Sequence, residues 1–184
     1  MKKTILIILG VVIIIGIYIG ASYNGFVTMK EGVDNKWAQV ENQLQRRFDL
    51  VPNLVETVKG ITKQEQAVFG EIANARSRYA GAGNQADKVS AANQYESALS
   101  RLLVITENYP QLKSSEAFTG LMVQLEGTEN RIAVERKNYN DSVLVLNTAV
   151  QRFPSSLVAG IFGFGQVEYF KVPESSQQNP AVKF

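Results

Sequence analysis

The stretch that decides the fold runs from residue 118 to residue 153 and reads FTGLMVQLEGTENRIAVERKNYNDSVLVLNTAVQRF. One line of residues spaced by seven consists of Phe118, Leu125, Ile132, Tyr139, Leu146 and Phe153. A second line, four residues farther on, consists of Met122, Glu129, Arg136, Val143 and Val150. A heptad pattern of this kind is typical of helices that pack side by side. We therefore predict an all-α protein whose body, residues 23–153, is a long antiparallel four-helix bundle with coiled-coil-like packing.

The chain before this stretch predicts three more helices. Apolar residues at helical spacing predict a first helix over residues 23–48 and a second over residues 50–81. We expect Asp49 to cap the second helix and Pro52 to lie in its first turn, where the missing N–H of proline costs nothing. A third helix, capped by Asp87, should end before Pro110, because a residue that precedes proline disfavours the helical conformation.

Residues 5–21 read ILIILGVVIIIGIYIGA, contain no charge and include 12 Ile, Leu or Val residues. These aliphatic residues together contribute about −5 kcal/mol to membrane insertion. We predict a transmembrane anchor over residues 1–22, with membrane-facing residues Ile5, Leu9, Ile13, Ile17 and Tyr18. A cleaved signal peptide is the alternative, but this run exceeds the usual 7 to 15 apolar residues of a signal peptide. Without a proline between Met1 and Pro52, the anchor and the first body helix should be continuous.

The chain after residue 153 changes character. Residues 157–165, LVAGIFGFG, are apolar and rich in glycine, which predicts an irregular segment or a short strand. We expect residues 154–172 to pack on the membrane-proximal end of the bundle, and residues 173–184 to form a disordered tail. The residues of a candidate interaction surface are Leu157, Ile161, Phe162, Phe164, Tyr169 and Phe170. They either cap the bundle core, which we favour, or contact lipid or a membrane partner.

Charged residues interrupt the apolar lines of the predicted helices. Arg47, Glu65, Glu129 and Arg136 occupy positions where apolar side chains are expected. Two charges of each sign predict ion pairs between helices, and we assign these residues a structural role. The wider polar network that we predict adds Asp49, Asn53, Asn130 and Asn140.

The composition excludes several classes of function. The chain contains neither cysteine nor histidine, which excludes disulfides, thiolate metal sites and histidine-based catalytic triads. We predict no cofactor, no metal and no catalytic residue. Lys2 and Lys3 account for the entire formal charge of +2, so the body carries no basic stripe of the kind that nucleic-acid binding requires.

Several long motifs are similar to those of one family. They are YNGFV at 23–27, NQLQRRFDLVPNLVETVKG at 42–60, NYPQLKSSEAFTGLMVQLEGTENRIAVERKNYND at 108–141 and LNTAVQRFP at 146–154. With the N-terminal apolar segment, they resemble the LemA family of bacterial membrane proteins over nearly the full length. The resemblance implies an all-helical bundle on a single membrane anchor and implies no reaction. The family pattern usually has a His-Glu pair where this chain has Gln64-Glu65, so no histidine role is carried over.

Two functions follow from these observations. The first, which we favour, is a non-enzymatic scaffold or adaptor for other membrane or envelope proteins; the resemblance adds a membrane metalloprotease as a candidate partner. The second is a hydrolase or metal-dependent enzyme that uses Glu65 and Glu129. We expect a single-pass protein of the bacterial cytoplasmic membrane. Its body should lie outside the cytoplasm, because Lys2 and Lys3 are closer to the anchor than Lys30 and Lys36. The sequence is also compatible with a homo-oligomer.

Overall fold

The computed structural model describes residues 2–60 and 65–171. All regular structure in these ranges is helical, which confirms the predicted all-α class. The helices are α1 (Lys2–Lys59), α2 (Gln66–Gly81), α3 (Gln85–Thr106), α4 (Pro110–Lys113), α5 (Glu116–Gln151) and α6 (Ser155–Phe162). The predicted tail over residues 173–184 and the position of Gln64 lie outside the described residues.

Helix α1 is 58 residues long and joins the N-terminal apolar segment to the body without a break, as predicted. It also continues through Pro52, so the predicted break at this point is wrong and Asp49 lies inside a helix instead of capping one. A proline inside a helix costs about 3 kcal/mol. The fully buried side chains of Val51, Leu54 and Val58 each contribute roughly 1.5–3 kcal/mol. Their packing outweighs the local penalty of the proline.

The described residues form two compact units. The first contains residues 2–39 and Glu135–Tyr169. In this unit α1 and α5 run antiparallel, since Trp37 contacts Tyr139 edge to face at 5.4 Å between ring centroids, whereas the earlier Tyr23 contacts Phe162, beyond the end of α5.

The second unit contains Val40–Val134 together with Phe170 and Lys171. Phe48 on α1 lies between the rings of Tyr79 on α2 and Tyr95 on α3, with centroid distances of 4.7 and 4.6 Å. An ion pair between Glu71 and Arg101 joins α2 to α3. Three aromatic rings thus form the centre of this unit.

The heptad line of α5 is confirmed over five of its six positions. Phe118, Leu125, Ile132, Tyr139 and Leu146 are all buried. Phe153 is 77% exposed, because α5 ends at Gln151 and the spacing no longer directs the residue inward.

Two further local predictions are corrected. Asn84, not Asp87, caps α3, since its side chain accepts a hydrogen bond from the backbone N–H of Asp87. Residues 155–162 form α6 instead of an irregular segment or strand. This segment contains no proline and only Gly160, so nothing in it prevents a short helix. Gly163, with φ of 75°, ends α6 in the left-handed conformation that glycine adopts without strain.

Candidate functional site

The second unit contains a buried arginine. Arg47 on α1 is 2% exposed and forms an ion pair with Glu129 on α5, whose side chain is 46% exposed. The guanidinium is therefore desolvated while its partner remains near solvent. Removing the partner of a buried charge is strongly destabilising, which favours a structural role for this pair. Arg136 on α5, in the first unit, is also buried.

The other predicted network residues lie in different surroundings. Glu65 is half-buried just before α2 and its side chain makes no capping hydrogen bond, so it does not occupy the predicted helical position. Asp49 is exposed, accepts a hydrogen bond from Gln45 at 3.0 Å and lies 3.9 Å from Arg76. The remaining residues are Asn53 and Asn130, which are exposed, and Asn140, which is half-buried. Within residues 2–60 and 65–171, no group of three or more acidic side chains is placed to hold a metal.

Three tyrosines have perturbed acidity. Burial raises the pKa of Tyr95 and of Tyr79, and the nearby carboxylate of Glu41 raises that of Tyr79 further. Burial and the negative charges of Asp34 and Glu168 raise the pKa of Tyr139 to about 12. All three phenols stay protonated at physiological pH. The Tyr139 hydroxyl donates a hydrogen bond, whereas Tyr79 and Tyr95 act through the packing of their rings.

A polar clasp in the first unit was not predicted from the sequence. The side-chain amide of Asn147 on α5 donates to the carbonyl of Val167 and accepts from its N–H, both at 2.8 Å. The Tyr139 hydroxyl donates to the carbonyl of Glu168 at 2.8 Å. Together they hold the extended chain after α6 against α5. The sequence shows only that Asn147 follows the heptad residue Leu146, and this neighbour alone does not reveal the contact with Val167.

Two grooves lie in the second unit. The first, here called the α1–α2 groove, is about 460 Å³ in volume. Its apolar lining includes Val55, Phe69 and Ile72. Its charged lining residues are Glu56, Lys59 and Arg76, and Lys59 forms an ion pair with Glu56 at 2.8 Å. The second groove, between α2 and α3, is about 550 Å³ and more polar, since Arg78 and Arg101 line it.

The predicted interaction surface divides into exposed and packed residues. On α6, Leu157, Ile161 and Phe162 are 61%, 72% and 47% exposed. Phe164, in contrast, stacks on Phe26 with 5.1 Å between ring centroids. Tyr169 is partly exposed, and Phe170 is buried.

The N-terminal part of α1 presents apolar side chains on all sides. Residues Ile5, Leu9, Ile13, Ile17 and Tyr18 are all exposed. Within the described residues, α1 is the one helix long and apolar enough to cross a membrane. These features define a class: a membrane-associated, all-helical protein with an N-terminal candidate span.

Comparison with known proteins identifies the family. The sequence pattern of the LemA family matches residues 36–184, and the chain belongs to this family. The chain is 30% identical to magnetosome protein MamQ of Magnetospirillum gryphiswaldense over 174 residues, which cover 80% of this chain and 64% of the relative. It is 29% identical to magnetosome protein MamQ 2 of Paramagnetospirillum magneticum over 175 residues, 81% of this chain and 64% of that relative. The chain thus spans less than two thirds of the length of these relatives.

Proposed function

We propose that this protein is a non-enzymatic scaffold that holds other membrane or envelope proteins at a membrane. The observation that carries the proposal is the continuity of α1, which joins the candidate span to the packed part of the first unit. Because the span and this packed helix are continuous, the first unit is held at the membrane without a flexible linker. The names of the relatives assign them to a cellular structure, the magnetosome, and give no reaction.

An enzyme based on Glu65 and Glu129 is less favoured by the geometry. Glu129 is paired with the guanidinium of Arg47, which leaves it poorly suited to hold or transfer a catalytic proton. Glu65 precedes α2, and its exposure is intermediate. The carboxylate-bundle metal pattern also requires histidines, which this chain lacks.

We place the partner in the α1–α2 groove. Partner helices commonly dock their apolar face in an apolar groove. The groove combines an apolar lining with the charged residues Glu56, Lys59 and Arg76. A partner helix with an apolar face flanked by charged residues of both signs fits this combination, and a segment of a membrane metalloprotease is one candidate.

The experiment is quantitative purification of tagged full-length protein from native membranes. Ser77 lines the groove, and Ser77→Trp should fill it. Ser100, also exposed but on α3 and outside this groove, supplies the matched control Ser100→Trp. We expect the wild type and the control to retain a partner at constant stoichiometry and Ser77→Trp to lose it. Recovery of the wild type without any stoichiometric partner would contradict the scaffold function.

We further propose that the membrane is the bacterial cytoplasmic membrane and that the body lies outside the cytoplasm. The two lysines directly before the candidate span support this orientation. A protease added to intact cells whose outer barrier is opened should remove an epitope inserted at the exposed Gly83, between α2 and α3. Protection until the cytoplasmic membrane is lysed would reverse the orientation.

A further inference from the structure

Helix α6 exposes an apolar surface that the core does not use. Leu157 and Ile161 are four residues apart and therefore share one helix face. Both are mostly exposed, as is Phe153 just before the helix, whereas Val158 and Ala159 are buried in the core. Helix α6 therefore has apolar side chains both on the face that packs on the protein and on the face that is exposed.

This surface lies beside the N-terminal candidate span, within the same unit. The ring of Phe162 is 4.9 Å from that of Tyr23, and the ring of Phe164 is 5.7 Å from it. Tyr23 follows the end of the apolar run at Ala21 by two residues, about 3 Å along the helix axis. A tyrosine this close to the end of an apolar span is typical of the boundary between hydrocarbon and water. The C-terminal end of α6 is therefore at the level of the bilayer interface.

We propose that α6, together with Phe153, lies in the interface of the bilayer that α1 crosses and forms a second membrane contact. Lipid is the expected contact of this surface, because the surface adjoins the span and lipid surrounds the neighbouring part of α1. The inference rests on membrane insertion of α1 and not on the scaffold function.

The chemistry of the surface also fits lipid acyl chains instead of charged headgroups. Residues 153–167 contain no charged side chain, and the nearest charge before them is Arg152. Interfacial helices that depend on anionic lipid carry several lysines or arginines on a polar face. Contact should therefore occur in vesicles of pure phosphatidylcholine, a zwitterionic lipid.

The absence of cysteine allows a direct test with single-cysteine variants of the full chain. Ile161→Cys and Leu157→Cys report on α6, and Ile13→Cys reports on insertion of the span. Lys137→Cys is the matched aqueous control, since Lys137 is exposed on α5 about 21 Å along the helix from Gln151. Each variant carries an environment-sensitive fluorophore and is reconstituted in phosphatidylcholine vesicles.

We expect brominated lipids to quench most of the emission of the labels at Ile161, Leu157 and Ile13, and to leave the label at Lys137 unchanged. An aqueous iodide quencher should give the opposite pattern. If the Ile161 and Leu157 labels respond to iodide while Ile13 responds to brominated lipid, α6 is in water and the proposal is wrong. If neither quencher reaches them, protein covers α6 and the proposal is also wrong. Phe153→Cys gives an independent site should a substitution in α6 disturb that helix.

Discussion

Two stretches of α1 are equally helical and both rich in apolar residues, yet they have different surroundings. In residues 5–21 the apolar side chains surround the helix, and all the large ones except the half-buried Ile19 are exposed. In the second stretch they recur every three or four residues and are buried; they are Val33, Trp37, Val40, Leu44, Phe48, Val51, Leu54, Val55 and Val58. The difference shows that the distribution of apolar residues around a helix, more than their number, separates a surface suited to lipid from one that packs on protein.

The test with the largest expected effect on stability substitutes one leucine in each stretch. Leu54 is fully buried, so Leu54→Ala should lower the free energy of unfolding of the body by about 2–5 kcal/mol. Leu9 is exposed in the apolar segment, and Leu9→Ala should leave the body unchanged. Urea unfolding in detergent micelles, followed by circular dichroism at 222 nm, measures both. Equal effects of the two substitutions would remove the distinction between the stretches.

The second test concerns the proline inside the buried stretch. If the packing around Pro52 outweighs a penalty of about 3 kcal/mol, then Pro52→Ala should release most of it. The unfolded chain regains up to about 1 kcal/mol of entropy when proline is removed, so we expect a net gain of about 2 kcal/mol. The same urea titration checks the gain, with the exposed Ala73→Ser in α2 as a control for minor surface effects. A loss of stability would mean that the proline geometry itself supports the packing.

The smallest test concerns the place where the buried stretch meets α5. Tyr139→Phe removes the hydrogen bond to the Glu168 carbonyl and should cost about 1 kcal/mol. Emission of Trp37, the single tryptophan and a direct neighbour of Tyr139, reports unfolding of this unit. Tyr169→Phe, at a partly exposed position, is the control and should change stability by less than about 0.5 kcal/mol.

Tyr139→Phe should also change how the stability of the first unit depends on pH. Because the pKa of Tyr139 is raised from 10.0 to about 12, the folded state binds the phenolic proton more tightly than the unfolded chain does. The resulting stabilisation is complete below pH 10.0 and disappears as the pH rises toward 12. Tyr139→Phe should therefore flatten the loss of stability across this window. An unchanged profile would assign the alkaline loss to other groups.

Much of the fold could be predicted from residue spacing alone. The five buried heptad residues from Phe118 to Leu146 follow it, because burial in a long helix depends on the angular position of each residue. Spacing fails where a helix ends, as at Phe153. At Pro52 the apolar spacing continues without a break, and the local preference of proline predicted a boundary that packing overrides.

The candidate site was predictable to a smaller extent. Charges on apolar lines predicted ion pairs between helices without assigning partners, and the structure pairs Arg47 with Glu129. Glu65 was placed on a helical stripe because the second helix was expected to begin at residue 50, whereas α2 begins at Gln66. The clasp between Asn147 and Val167 depends on the chain returning along α5 after Gly163, and no local pattern encodes that return.

The even distribution of apolar residues around the N-terminal part of α1 has a consequence for motion in a bilayer. Even at Gly10, Gly16 and Gly20 the helix faces open space, since a Cβ atom added there would meet no other atom within 4 Å. A helix that offers the same apolar surface on every side gives lipid no preferred rotation of the helix about its own axis. The attached unit is therefore free to rotate about that axis by diffusion, and a neighbour in the same membrane plane encounters each of its sides in turn.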